Sequence, residues 1–193
     1  MATLKLGSDG EHRFESGPNV AKVEKTLDRL RFSNYVTDRS AFFAQKFAQT
    51  TLLSHWNGER VTEIDRAAKF LGFWGNAGRL VYTSKAHESA NSVLKLYDSD
   101  SGSLQTLANS PKDFRYLFLS RSGSTLLTSK ISNSHGLLET LYAREEDDWE
   151  LRPAVRDERN KILSLAAGWT RLSSEGNFLC HIGPGGLSLH QLP

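Results

Sequence analysis

Apolar residues in this chain come in short runs separated by clusters of Gly, Asn, Asp and Ser. "RLVYTSK" (79–85), "SVLKLYD" (92–98), "STLLTSK" (124–130) and "LLETLYA" (137–143) are rich in Leu, Val, Tyr and Thr, the residues that pack well on a pleated surface. The breaks "GNAG", "SDSG", "RSG" and "REEDD" hold the residues that tight turns select. Gly78 and Gly123 stand where a hairpin turn wants a positive φ, which glycine adopts without a Cβ clash. The pattern predicts an all-β chain of hairpin-linked strands.

The strands also repeat. Laid over residues 116–152 with a shift of 45 and no gap, residues 71–107 match at eight positions. Phe73, Gly78, Thr83, Ser84, Lys85, Ser89, Leu96 and Tyr97 fall on Phe118, Gly123, Thr128, Ser129, Lys130, Ser134, Leu141 and Tyr142. Chance pairing at ordinary residue frequencies gives roughly two or three. A third copy fits at 169–191, where Trp169, Leu172 and Gly176 take the places of Leu71, Trp74 and Gly78. A fourth precedes the clear pair, with strands expected near 28–33, 40–47, 49–55 and 59–64. The copies lie near 28–66, 67–110, 112–155 and 160–193, with 153–160 as a polar loop that lengthens the last spacing.

Two segments fall outside the repeat. "TLKLGSDGEHRFE" is strand-like around an SDG turn, and the copy at 169–191 stops before a fourth strand. Thr3–Leu6 or His12–Glu15 is therefore expected to close a ring by completing that last copy, with 1–18 as closing strand or tail. Val20, Val23, Leu27 and Leu30 lie at helical spacing behind a possible N-cap, Asn19, which predicts a short helix over 19–31.

The unit "GRLVYTS…SVLKLYDSDSGSLQTL" resembles a blade of the WD40-like and TolB-like β-propellers, in which "DGxxLxY" precedes "LxLYDxxTGexxxL". The resemblance covers about two-thirds of the chain, and "LYDS" and "LYAR" stand where a WD40 blade carries Trp-Asp. It implies one domain over 1–193, a small β-propeller of about four four-stranded antiparallel blades, closed within the chain or completed by a second copy as a homodimer. Such propellers mostly serve as rigid platforms for protein partners.

Composition narrows the partners. With 24 basic and 22 acidic residues the net charge is +2, too even and too scattered to argue for nucleic acid. No apolar run approaches the ~18 residues of a membrane span, and "MATLKLGSDGEHRF" has no apolar leader segment. Cys180 is the one cysteine, which excludes an internal disulfide and thiol-rich zinc sites and suits the cytoplasm. Export without a cleaved signal, as a secreted bacterial or viral effector imitating a host propeller, stays open.

Candidate chemistry is sparse. Asp98 and Asp100 in "DSDSG" resemble the start of a calcium loop, but no glutamate follows at the required distance, and a turn accounts for them. The histidines at 12, 55, 87, 135, 181 and 190 show no metal-ligand spacing, and His87 and His135 read as loop residues. No G-x-S-x-G elbow appears, "GPGG" (183–186) lacks the Lys-Ser/Thr of a phosphate loop, and Cys180 lies in an apolar strand. No catalytic residue, metal ligand or cofactor is assigned. The densest charge is "REEDDWE" (144–150). Glu145, Glu146 and Asp147, with Trp149 behind them and Trp56 and Trp74 beside other turns, are the candidate partner-binding residues. These features point to a non-enzymatic protein–protein interaction module. The alternative is a ligand-binding or hydrolytic site at the channel mouth.

Overall fold

Buried backbone N–H and C=O groups need partners, and short apolar runs supply them by pairing side by side. The computed structural model describes residues 3–6, 12–16, 19–23, 29–37, 39–47, 49–131, 138–154, 169–183 and 186–192, with side chains for 37, 39–46, 49–130, 139–154, 171–182 and 186–192. Five antiparallel sheets follow one another along the chain. The first joins β1 (Thr3–Leu6), β2 (His12–Ser16) and β3 (Asn19–Val23). The second joins β4 (Arg29–Val36), β5 (Ala41–Phe47), β6 (Thr50–Trp56) and β7 (Val61–Ala67). The third joins β8 (Lys69–Asn76), β9 (Arg79–Lys85), β10 (Ser92–Asp98) and β11 (Leu104–Ser110). The fourth joins β12 (Phe114–Leu119), β13 (Thr125–Ile131), β14 (Leu138–Arg144) and the two-residue β15 (Arg152–Pro153). The fifth holds β16 (Trp169–Leu172), β17 (Phe178–Gly183) and β18 (Gly186–Gln191).

Two expectations for the N-terminal region are corrected. The segment read as a helix contains β3 and the start of β4: Val20 pairs with Glu15 and Ala21 with Phe14, so β2 satisfies backbone groups that a helix would have paired internally. Nor do Thr3–Leu6 and His12–Glu15 complete the sheet at 169–191. They pair with each other, Thr3 opposite Glu15 and Leu6 opposite His12, and form a sheet of their own with β3. His135 and the loop 155–160 lie outside the described residues.

The sheets stack in series. Their first strands lie at one edge of each sheet, and β4 touches β8, β8 touches β12 and β12 touches β16. This convergence of first strands is the radial arrangement of a propeller. Between the second and third sheets Phe42, Ala44 and Leu53 meet Leu80, Tyr82 and Tyr97. Between the third and fourth, Val81, Leu94 and Leu96 meet Leu119, Leu126, Leu141 and Ala143. Between the fourth and fifth, Leu127 and Tyr142 meet Leu179 and Leu192. Each fully buried Leu or Phe here contributes about 1.5–3 kcal/mol of hydrophobic stabilisation. Polar groups also bridge the stack. The Asp65 carboxylate on β7 accepts from Tyr82 Oη at 2.8 Å and Lys95 Nζ at 2.7 Å on the next sheet.

The faces reveal a correction to the 45-residue shift. Tyr97 packs back against the second sheet, whereas Tyr142 packs forward against the fifth. Leu96 and Leu141 are likewise reversed, both lying in the layer between the third and fourth sheets. Trp74 pairs with Val81, seven positions on, but the equivalent forward-facing pair Phe118–Leu127 is nine positions apart. The second hairpin is two residues longer. The structural equivalence therefore runs at 44 before this loop and 46 after it, and 45 inverts the face because side chains alternate with period two. The fifth sheet keeps the longer hairpin: Arg171 pairs with Cys180, also nine positions on, and Gly123 and Gly176 make the same turn to Ser120 and Ser173.

Candidate functional site

The first strands β8 and β12 are both irregular near their beginnings. Leu71 is bulged out of register with β9, and an extra residue separates Arg115 from Phe118 opposite β13. Bulges of this kind re-aim side chains and occur beside functional sites. Here the bulge holds Tyr116 at φ +54°, in the left-handed region that a bulky L-residue rarely enters. Its ring is not tucked away; Tyr116 is 56% exposed.

A cavity of about 390 Å³ lies beside it, lined by Leu71, Gly72, Phe73, Phe114 and Leu117 with Asp113, Arg115 and Tyr116. A Cβ at Gly72 would lie 3.7 Å from Leu117 Cδ1, in ordinary van der Waals contact. Asp113 is neutralised by Lys85 at 2.8 Å. Lys112 and Arg115 are exposed, and neither forms an ion pair among the described residues. A second cavity of about 280 Å³ shares Phe73 and lies between the second and third sheets, with Lys46, Lys69 and Glu88 on its wall. The first cavity is thus walled mainly by apolar side chains, with the exposed Tyr116 phenol and Arg115 at its edge.

The residues singled out from sequence are placed differently. Trp56 is fully buried and Trp149 is 7% exposed, so both rings are core rather than surface. Trp74 is half-buried on β8, edge to face with Phe118 at 5.0 Å, and the Arg171 guanidinium lies 5.8 Å above it. Glu145, Glu146 and Asp147 form a single 3-10 turn. Each is engaged by an arginine: Glu145 by Arg79, Glu146 by Arg144 at 3.5 Å and Asp147 by Arg152 at 3.3 Å. Arg79 also bonds Asp98 at 3.0 Å and Gly123 O at 3.1 Å, and its guanidinium lies 5.6 Å from the Trp149 ring centroid. The hydrogen bond to Glu145, and that to Asp98, raise the Arg79 pKa against the effect of burial. Asp98 meanwhile accepts from the N–H groups of Asp100 and Ser101, so the "DSDSG" carboxylate is occupied in its own turn.

Sequence reasoning missed one contact. Ser40 Oγ lies 2.9 Å from His55 Nε2. The His55 ring is 7% exposed, stacked on Phe42 at 4.7 Å and edge to face with Tyr97. Burial lowers its pKa, against the field of Asp100. Which of Ser40 and His55 donates in this bond depends on the imidazole tautomer.

No protein-family model matches the sequence, and no curated protein matches it. Solved structures do match in fold. An oligogalacturonate lyase in complex with manganese is 13% identical with a TM-score of 0.56, covering 86% of this chain and 49% of its own. The Dos1 propeller is 11% identical with a TM-score of 0.53, covering 94% of this chain and 49% of its own. The fold is β-propeller-like. TolB from Acinetobacter baumannii, 10% identical with a TM-score of 0.52 and 94% of this chain covered, shares it over 46% of its own length. The chain spans about half the length of these three proteins. Among the described residues no helix is long and apolar enough to cross a membrane.

Proposed function

We propose that this chain is a protein-interaction module whose contact region is the groove between the starts of β8 and β12. Tyr116 carries the reading. Holding a tyrosine in the left-handed region costs about 1–3 kcal/mol, and the ring recovers little of that by burial because 56% of the residue stays exposed. Strain kept at a bulge beside a cavity supports a presented contact residue.

The charge beside it selects the occupant. Arg115 lines this largely apolar groove and forms no ion pair among the described residues. An extended peptide segment that combines a carboxylate with apolar side chains fits this chemistry, the apolar groups entering between Phe73, Phe114 and Leu117. Glu145, Glu146 and Asp147 are held in intramolecular ion pairs and are not needed for this contact.

The test is capture with the wild-type chain as bait beside Arg115→Ser and Tyr116→Ser. A partner retained by wild type and lost from both variants, with unchanged circular dichroism, supports the proposal. Turnover of an ester, peptide or glycan library, with no partner that depends on these two residues, overturns it.

A further inference from the structure

At the end of the stack where β8 and β12 begin, the described side chains do not balance in charge. The acids there are each taken by a lysine: Glu88 lies 3.8 Å from Lys69, Asp113 2.8 Å from Lys85 and Glu139 3.4 Å from Lys130. Lys46, Lys112 and Arg115 stand at the same end, are exposed and form no ion pair among the described residues. The net charge of +2 for the whole chain conceals this local surplus.

Two cavities open among these cations. Arg115 is on the wall of the groove beside Tyr116, and Lys46 is on the wall of the cavity of about 280 Å³ between the second and third sheets. Phe73 lines both, so the two adjoin. Ala44 packs toward the third sheet, and Lys46 follows it by two positions on β5, which turns it into the same layer. A single residue, Ala68, connects β7 to β8, and its N–H donates to Lys85 O at 3.1 Å, which sets Lys69 and Phe70 on the wall of this cavity. Between the two charges the surface is apolar, with Ala44, Ala68 and Phe70 on one side of Phe73 and Leu71, Phe114 and Leu117 on the other. Volumes near the lower end of ligand pockets suit single side chains of an extended chain.

We infer that the segment held at the groove runs on past Phe73 and places a second carboxylate beside Lys46, so that the partner is an extended peptide with apolar residues between two acidic ones. This deepens the reading of the groove as a protein-contact site and rests on it. Lys69 shares its charge with Glu88, which leaves Lys46 to meet the second carboxylate. Lys112 lines neither cavity and adds to the field that draws an acidic segment to this end. The order of cation, apolar wall and cation matches such a peptide. A nucleic acid strand needs cations that track a continuous row of phosphates.

Fluorescence polarisation with the full chain tests this. The probes are fluorescein-labelled peptides with two Glu residues at graded spacings across an apolar stretch, and the same peptides with either Glu replaced by Gln. The best two-Glu peptide should bind about two- to fivefold more weakly to Lys46→Ser and to Arg115→Ser. One of its two Gln versions should lose the response to Lys46→Ser while keeping the response to Arg115→Ser. Arg121→Ser removes the same charge from the β12–β13 turn at the opposite end and should change nothing. All three residues are exposed, so the fold is expected to survive, and circular dichroism checks it. If two-Glu peptides respond to Arg115→Ser and not to Lys46→Ser, the inference fails and the groove reading stands. If no peptide responds to Arg115→Ser, both fail. Equal weakening by Arg121→Ser shows that net charge alone is sensed and overturns the inference. So does Lys46-dependent binding of a single-stranded oligonucleotide or a phosphatidylserine vesicle where no peptide binds.

Discussion

Arg79→Met removes the side chain that ties the third sheet to the hairpin of the fourth. Arg79 is 19% exposed and bonds Asp98, Glu145 and Gly123 O while lying over Trp149. Methionine keeps the aliphatic stem and loses every bond. The charge-assisted bond to Gly123 O contributes about 1.5–3 kcal/mol and the cation–π contact about 0.5–1 kcal/mol. Glu145 is 49% exposed, so its ion pair adds under about 1 kcal/mol. Asp98 retains three donors from the Asp100 and Ser101 backbone and the Ser101 hydroxyl, which limits its loss. The expected cost is about 2–5 kcal/mol, a fall in Tm of about 4–20 °C for a chain of this size. Urea unfolding reads it directly, and a cycle with Glu145→Gln should show a coupling below about 1 kcal/mol. pH supplies an independent check. The Arg79 hydrogen bond holds the Glu145 pKa below its usual range. For Asp98, burial pushes upward but is outweighed by hydrogen bonds from Ser101 and Arg79, leaving the net shift downward. Groups with depressed folded values add stability that is present above their unfolded pKa and lost as pH falls through the folded value. The deficit of Arg79→Met should therefore narrow below about pH 4. A deficit under about 0.5 kcal/mol at neutral pH, or one unchanged at about pH 3, refutes the reasoning.

Asp65→Asn should cost about 3 kcal/mol by urea unfolding, because it strands the Lys95 ammonium, only 21% exposed, beside Tyr82. Adding Lys95→Met should restore at least half of that loss. Gly176→Ala and Gly102→Ala make a matched pair at φ +76° and +68°. The first drives a Cβ into the Thr125 side chain and the second meets open space, so calorimetry should show about 1 kcal/mol for Gly102→Ala and clearly more for Gly176→Ala. His55 has a pKa lowered by burial, so its neutral form is the folded one and the wild type should lose stability as pH drops below about 6.5. His55→Gln should flatten that dependence between about pH 7.5 and 5, and an identical slope in both proteins would show that His55 is not the group responsible.

Strand positions were legible because apolar runs and turn residues are local signals. "SAFFAQ", "STLLTSK" and "SVLKLYD" all fall within strands or at their starts. Facing was not legible, because it depends on the length of a loop whose own sequence, "RSGS", looks like any turn. Trp56 and Trp149 both adjoin turns, and only pairing across β5–β6 and the packing around Arg79 show them to be core. Tyr116 sits in "FRYLFLS", which reads as a plain strand, and a bulge without glycine leaves no mark in the sequence. The Ser40–His55 contact follows from Ala41 lying opposite Trp56, a register unknown until the hairpin is built.

The two-residue difference between the β8–β9 and β12–β13 hairpins sets a parity rule for how such a chain can vary. Lengthening a loop by two leaves every forward-facing residue forward, so Phe118–Leu127 can do the work of Trp74–Val81. A single inserted or deleted residue has to be taken up by a bulge or a different turn type, because a one-residue slip of β13 along β12 would turn Leu127 out of its layer. Even changes of loop length between 121 and 124 should therefore cost less stability than odd ones, a difference that urea unfolding of a loop-length series would read.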